Sequence, residues 1–162
     1  MAETDEQVRE DANELLNASV SYAKRMLRKY GEFGPFGYRL NEDGNAVMEK
    51  IAQQEMPADA ALLLSLLRQQ LAEKAHRGIL SSAAMTSNVT IAKASEEGYV
   101  DAIMIEIEHR SGYSVKVFVP YKITGGQLRG FFPRVVRFGA LRTQDAGAQL
   151  FAHQEKLHAN ET

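Results

Sequence analysis

The chain has 162 residues, 44% of them hydrophobic and 25% charged, with a formal net charge of −2. That size and balance describe one ordinary globular domain with a real core, and give no global case for nucleic acid or an anionic membrane. The absence of cysteine excludes disulfides and thiolate chemistry and suits a reducing cytoplasm. The polar, acidic start MAETDEQVRED is unlike a targeting peptide, and no apolar run approaches the ~20 residues that span a bilayer.

The first predicted element is a long helix over Asp5–Tyr30. Thr4 and Gln7 have capping-box spacing, and Val8, Ala12, Leu15, Leu16, Ser19, Val20, Ala23, Met26, Leu27 and Tyr30 form an apolar stripe. Acidic residues fill its first turns and Lys24, Arg25, Arg28 and Lys29 its last, as the helix dipole favours. Gly31 is the expected C-terminal cap. GEFGPFG (31–37) then reads as a shaped corner with Phe33 and Phe36 plugging the end of the core; its alternative use is a recognition loop displaying Phe33 or Phe36. Tyr38 and Leu40 begin a strand, Asn41–Gly44 is a reversal, and residues 46–51 return as a second strand.

Pro57 opens a second helix whose stripe is Ala60, Leu63, Leu64, Leu67, Leu71 and Ala75. Leu62 and Leu66 widen that stripe, so this helix is expected to be the more buried of the two. Residues 83–92 alternate as a strand. The strongest pattern lies between Tyr99 and Tyr121. Ile103, Ile105 and Ile107 alternate with polar residues, and so do Val115, Val117 and Val119 after Arg110-Ser111-Gly112. A three-residue loop pairs Ile107 with Val115, Ile105 with Val117 and Ile103 with Val119, and sets Glu106 opposite Lys116. A slip of one residue would exchange buried and exposed faces, so this register is preferred, with Gly112 at a left-handed position. Gly125-Gly126 marks another reversal, and one or two further strands follow among Val135–Phe151. Residues 1–152 form the expected domain, and 153–162 a polar, frayed tail.

The expected fold class is therefore α+β, with the order αββαβββ(β). It comprises an antiparallel sheet of about five to six strands with both long helices on one face, layered as in PAS, profilin or roadblock domains.

Glu106, Glu108 and His109 are the candidate catalytic residues. Two carboxylates two apart on a strand share a face roughly 6–7 Å apart, a spacing that serves acid–base work or metal binding. The competing reading is a solvated strand face with Glu106 balanced by Lys116, and His109 points away from both glutamates. His76, His153 and His158 fit no zinc spacing, so no metal and no cofactor are expected. Ser111 lacks a nucleophile-elbow context and reads as a turn residue. Residues 129–142 carry four arginines and no acid, interleaved with Phe131, Phe132 and Phe138. No nucleic-acid signature accompanies them, so a protein contact through Arg129, Phe131, Arg134 and Arg137 is favoured over nucleic acid. Self-association against the acidic N-terminal segment is a second use, and a basic edge strand guarded against aggregation a third.

The turn Gly31-Glu32-Phe33-x-Pro35-Phe36-Gly37, with Asp101-Ala102-Ile103, Glu108-His109-Arg110-x-Gly112-Tyr113 and Pro120-Tyr121, resembles a family of small bacterial α+β proteins with no assigned activity. Their build is similar to that of some toxin-immunity proteins, by analogy only. The sequence reading is thus a cytosolic bacterial protein-interaction module, immunity-like or regulatory and non-catalytic. Its alternative is a small-ligand binder or hydrolase using the Glu106–Glu108 pair.

Overall fold

The computed structural model describes residues 3–51, 59–91, 98–127 and 131–151. Arg129, Pro57, His153, His158 and the 153–162 tail lie outside them. The order is α1 (Asp5–Tyr30), β1 (Phe36–Leu40), β2 (Ala46–Glu49), α2 (Ala60–His76), β3 (Ser82–Thr90), β4 (Asp101–His109), β5 (Ser114–Thr124), β6 (Val135–Phe138) and β7 (Arg142–Asp145). The protein is an α+β domain built on one antiparallel sheet, ordered β2-β1-β3-β4-β5-β6, with β7 also on β5.

Local signals form the elements as expected. Thr4 Oγ1 accepts the Gln7 N–H (3.2 Å), and Gly31 closes α1 at φ 76° by donating to the Leu27 carbonyl. The capping box is only half made, because the Gln7 side chain donates to Asp11 Oδ1 instead (2.9 Å). In the central hairpin Ile107 pairs with Val115, Ile105 with Val117, Ile103 with Val119 and Glu106 with Lys116, the register the alternation requires. Gly112 sits at φ 97° in the loop.

The helices depart from expectation: they cover opposite faces. Ala84 pairs with Ile107, so that parity of β3 and β4 belongs with Leu15, Ala23 and Leu27 of α1. Ala83 and Met85, of the other parity, pack with Leu71 and Ala75 of α2. A strand buried on both sides must present apolar residues at successive positions, and β3 does so with Ala83, Ala84 and Met85. Nor is α2 the more buried helix. Leu62 is 50% exposed and Leu66 half-buried, because the sheet face beneath α2 accepts only the Leu63–Leu67–Leu71–Ala75 stripe.

Among the described residues the sheet has seven strands rather than five or six, because the far edge is one line broken in two. β6 pairs with residues 121–124 of β5, and β7 with residues 115–118. Pro120 faces the interruption: its carbonyl accepts from Gly139 (2.8 Å), and its missing N–H points to the same broken side.

Candidate functional site

The parity that divides the helices also divides the candidate residues. Glu106 and Glu108 lie on the α2 face, while His109 follows Ile103, Ile105 and Ile107 onto the α1 face. The three do not form one site.

Glu106 is held by two cations: Arg68 of α2 at 2.8 Å and its cross-strand partner Lys116 at 3.5 Å. Glu108 is 4% exposed. Its Oε1 accepts the backbone N–H groups of Gln149 (2.6 Å) and Leu150 (2.9 Å). Burial pushes its carboxyl above the ordinary value, against those two bonds. This strand face is therefore covered rather than solvated: α2 and residues 149–151 lie over it. A cavity of about 190 Å³ remains between them, lined by both glutamates, Arg68 and Lys116.

On the other face His109 is 1% exposed, at the hairpin tip against the first turns of α1. The Ser111 backbone N–H donates to its Nδ1 (3.0 Å), so Nδ1 holds a lone pair. The ring proton is then on Nε2, which donates to Asp11 Oδ2 at 3.1 Å. Ser111 Oγ lies 2.8 Å from Nδ1. Asp11 is buried and oriented by Gln7, one α1 turn earlier. Glu3 Oε2 lies 3.6 Å from Nε2, and its other oxygen takes the Arg110 guanidinium. That bond holds the Glu3 carboxyl below its ordinary value, against partial burial. Ligand atoms of Glu3, Asp11 and His109 lie within 4.8 Å of one another, a spacing at which a cation can be held. Here the Nε2 proton and Arg110 already supply the positive partners. Beside this cluster is an open cavity of about 870 Å³, lined among others by Ser111, Arg9, Arg110 and Tyr113. Ser111 is exposed to it.

The arginine-rich segment occupies a third place. Phe131 and Phe132 are 79% and 47% exposed, and stack edge to face at 5.4 Å. Arg137 is exposed on β6, whereas Arg134 donates to the Lys29 carbonyl at the end of α1 (3.0 Å). The Arg134 side chain lies against Gly31 and Gly126, where an added Cβ would come within 3.1 Å. It clamps the β5–β6 connection to the helix end. Phe33 is half-buried, edge to face on Phe36 at 5.9 Å, and lines an apolar groove of about 750 Å³ with Tyr22, Met26 and Leu63.

Sequence reasoning missed the Asp11–His109–Ser111 chain, because 98 residues separate Asp11 from His109. A signal existed: Asp11 interrupts the apolar stripe of α1, and His109 continues the isoleucine parity of β4. A buried acid and a buried imidazole on facing surfaces call for each other. No known family model, curated protein or solved structure matches the chain.

Proposed function

We propose that the protein is an interaction module that holds an acidic segment of a protein partner at the corner where β6 meets the end of α1. One observation carries this reading: Phe131 stands 79% exposed on Phe132, in the segment that Arg134 ties to the Lys29 carbonyl at the cationic end of α1. An exposed aromatic pair loses little rotamer freedom on docking and buries a large area, as interface anchors do. Lys24, Arg25, Arg28 and Lys29 supply the charge that would steer an acidic partner to it. Arg137, next to the buried Val136, points to the α2 face and lies outside this surface; Arg134 ties the segment to the helix end. A cytosolic bacterial setting, with an immunity-like or regulatory role, is part of the same proposal. Among the described residues no helix is long and apolar enough to cross a membrane.

The small-ligand alternative has the 190 Å³ cavity at Glu106 and Glu108 in its support. Against it, Arg68 and Lys116 already engage Glu106, and two backbone N–H groups engage Glu108.

The test compares partners captured by the intact protein with those captured by Phe131→Ala plus Arg28→Glu, followed by calorimetry on the purified pair. The variant is expected to weaken binding by about 2 kcal/mol or more. Raising salt should weaken the intact complex further. An unchanged partner set and affinity would refute the corner as the docking surface.

A further inference from the structure

The geometry points to a second, independent activity at the hairpin tip. We propose that Ser111 is the nucleophile of a Ser–His–Asp relay that accepts the acyl group of small carboxylic esters, with His109 as its base and Asp11 as its positioning residue.

Tautomer, burial and access together single out Ser111. Of the two imidazole nitrogens only Nδ1 carries a lone pair, which the Ser111 backbone N–H shares, because Nε2 directs its proton at Asp11 Oδ2, 3.1 Å away. Ser111 Oγ is 2.8 Å from that lone pair, within reach for proton transfer. His109 and Asp11 are 1% and 8% exposed, so the ring is locked by its surroundings and shielded from water. Ser111 alone of the three is exposed, and it opens onto the 870 Å³ cavity. The cavity lining mixes Arg9 and Arg110 with Glu3 and Asp5, and Arg110 is already paired to Glu3, which leaves Arg9 as the cation available to an oxyanion. The sequence order Asp…His…Ser is no obstacle, since such relays are recognised by geometry and role.

One feature works against the base. The Ser111 backbone N–H shares the Nδ1 lone pair at 3.0 Å, and that bond must yield when Nδ1 takes a proton. The carboxylates of Asp11 and Glu3, 3.1 and 3.6 Å from Nε2, favour the imidazolium and offset the loss. A moderately activated serine follows, suited to reactive esters rather than amides. In the first step Oγ bonds to the carbonyl carbon while its proton passes to Nδ1. The carbon–oxygen bond to the alcohol then breaks, and the alcohol leaves with the Nδ1 proton. Water, deprotonated by the same nitrogen, attacks the acyl-serine and releases the carboxylic acid and free Ser111.

A fluorophosphonate probe and p-nitrophenyl acetate test this on the full chain. With the probe, Oγ bonds to phosphorus, fluoride departs, and the proton goes to Nδ1. Mass spectrometry should find the adduct on Ser111, formed faster in the folded protein than in the urea-unfolded chain. Ser111→Ala should abolish both the adduct and ester hydrolysis, and His109→Gln should slow labelling ~100-fold or more. Asp11→Asn should slow labelling of Ser111 without lowering the denaturation midpoint in proportion, which a purely structural role would not do. Labelling elsewhere, or no faster labelling on folding, would overturn the proposal. Both readings need only the intact protein, so they decide the matter even where a variant fails to fold.

Discussion

Glu49 and Glu108 are both buried on the α2 face, yet their surroundings push them in opposite directions. Burial raises Glu108, and its two backbone bonds and nearby Arg68 do not overcome it. Burial also acts on Glu49. There the hydrogen bonds of Lys74 and Gln70, with the charges of Lys74 and Arg39, outweigh it and hold the carboxyl below its ordinary value. The consequences for stability have opposite signs. The contribution of protonated Glu108 is complete below the unfolded value and is lost as pH rises through the raised folded value. That of ionised Glu49 is present above the unfolded value and is lost as pH falls through the lowered folded value. Glu108→Gln should therefore gain stability relative to the parent protein as pH rises above the ordinary glutamate value. Glu49→Gln should cost about 2 kcal/mol at neutral pH, a gap that closes in acid. Urea denaturation across pH reads both; parallel pH profiles for the two variants would contradict these assignments.

The elements are punctuated by glycines with different duties. Gly112 at φ 97° has nothing within 4 Å of a Cβ added to it, so its need is conformational only. Gly125 at φ 83° has that need too, and its Cβ would lie 2.1 Å from the Pro133 carbonyl oxygen. Gly112→Ala should then cost about 1 kcal/mol, the ordinary left-handed penalty. Gly125→Ala should cost clearly more and disturb β6, because a backbone carbonyl has nowhere to move. Equal losses in denaturation midpoint would show that the close approach is not a constraint. The hairpin register was legible because its alternation penalises every slip. The break between β6 and β7 was not, since its cause is the missing N–H of Pro120 on the neighbouring strand.

Across the molecule the two faces of the sheet are unequal. The α1 face is one continuous core that draws on α1 and on β1, β3, β4, β5 and β6. The α2 face holds Leu71, Ala75, Leu80, Ala83, Met85, Leu150 and Phe151, a smaller cluster closed by the 149–151 segment. Less apolar area per residue means a lower local opening energy. Amides in α2 should therefore exchange with solvent through partial opening, while those of Ile103–Ile107 and the buried turns of α1 wait for global unfolding. Uniform protection across both helices would show instead that the molecule opens as one unit.

Period and punctuation settle what neighbours along the chain decide. From them alone come α1 with both caps, the stripe of α2, the hairpin register, the Glu106–Lys116 pairing and the turning of His109 away from the glutamates. The reason is local: these features follow from residues a few positions apart, or from one face needing burial. The side of the sheet that α2 takes, the cover over Glu108, the anchoring of Arg134 on Lys29, and the meeting of Asp11 with His109 and Ser111 depend on distant segments. No periodicity encodes such contacts. They arise because a buried charge or imidazole must find its partner wherever the packed chain brings one within reach.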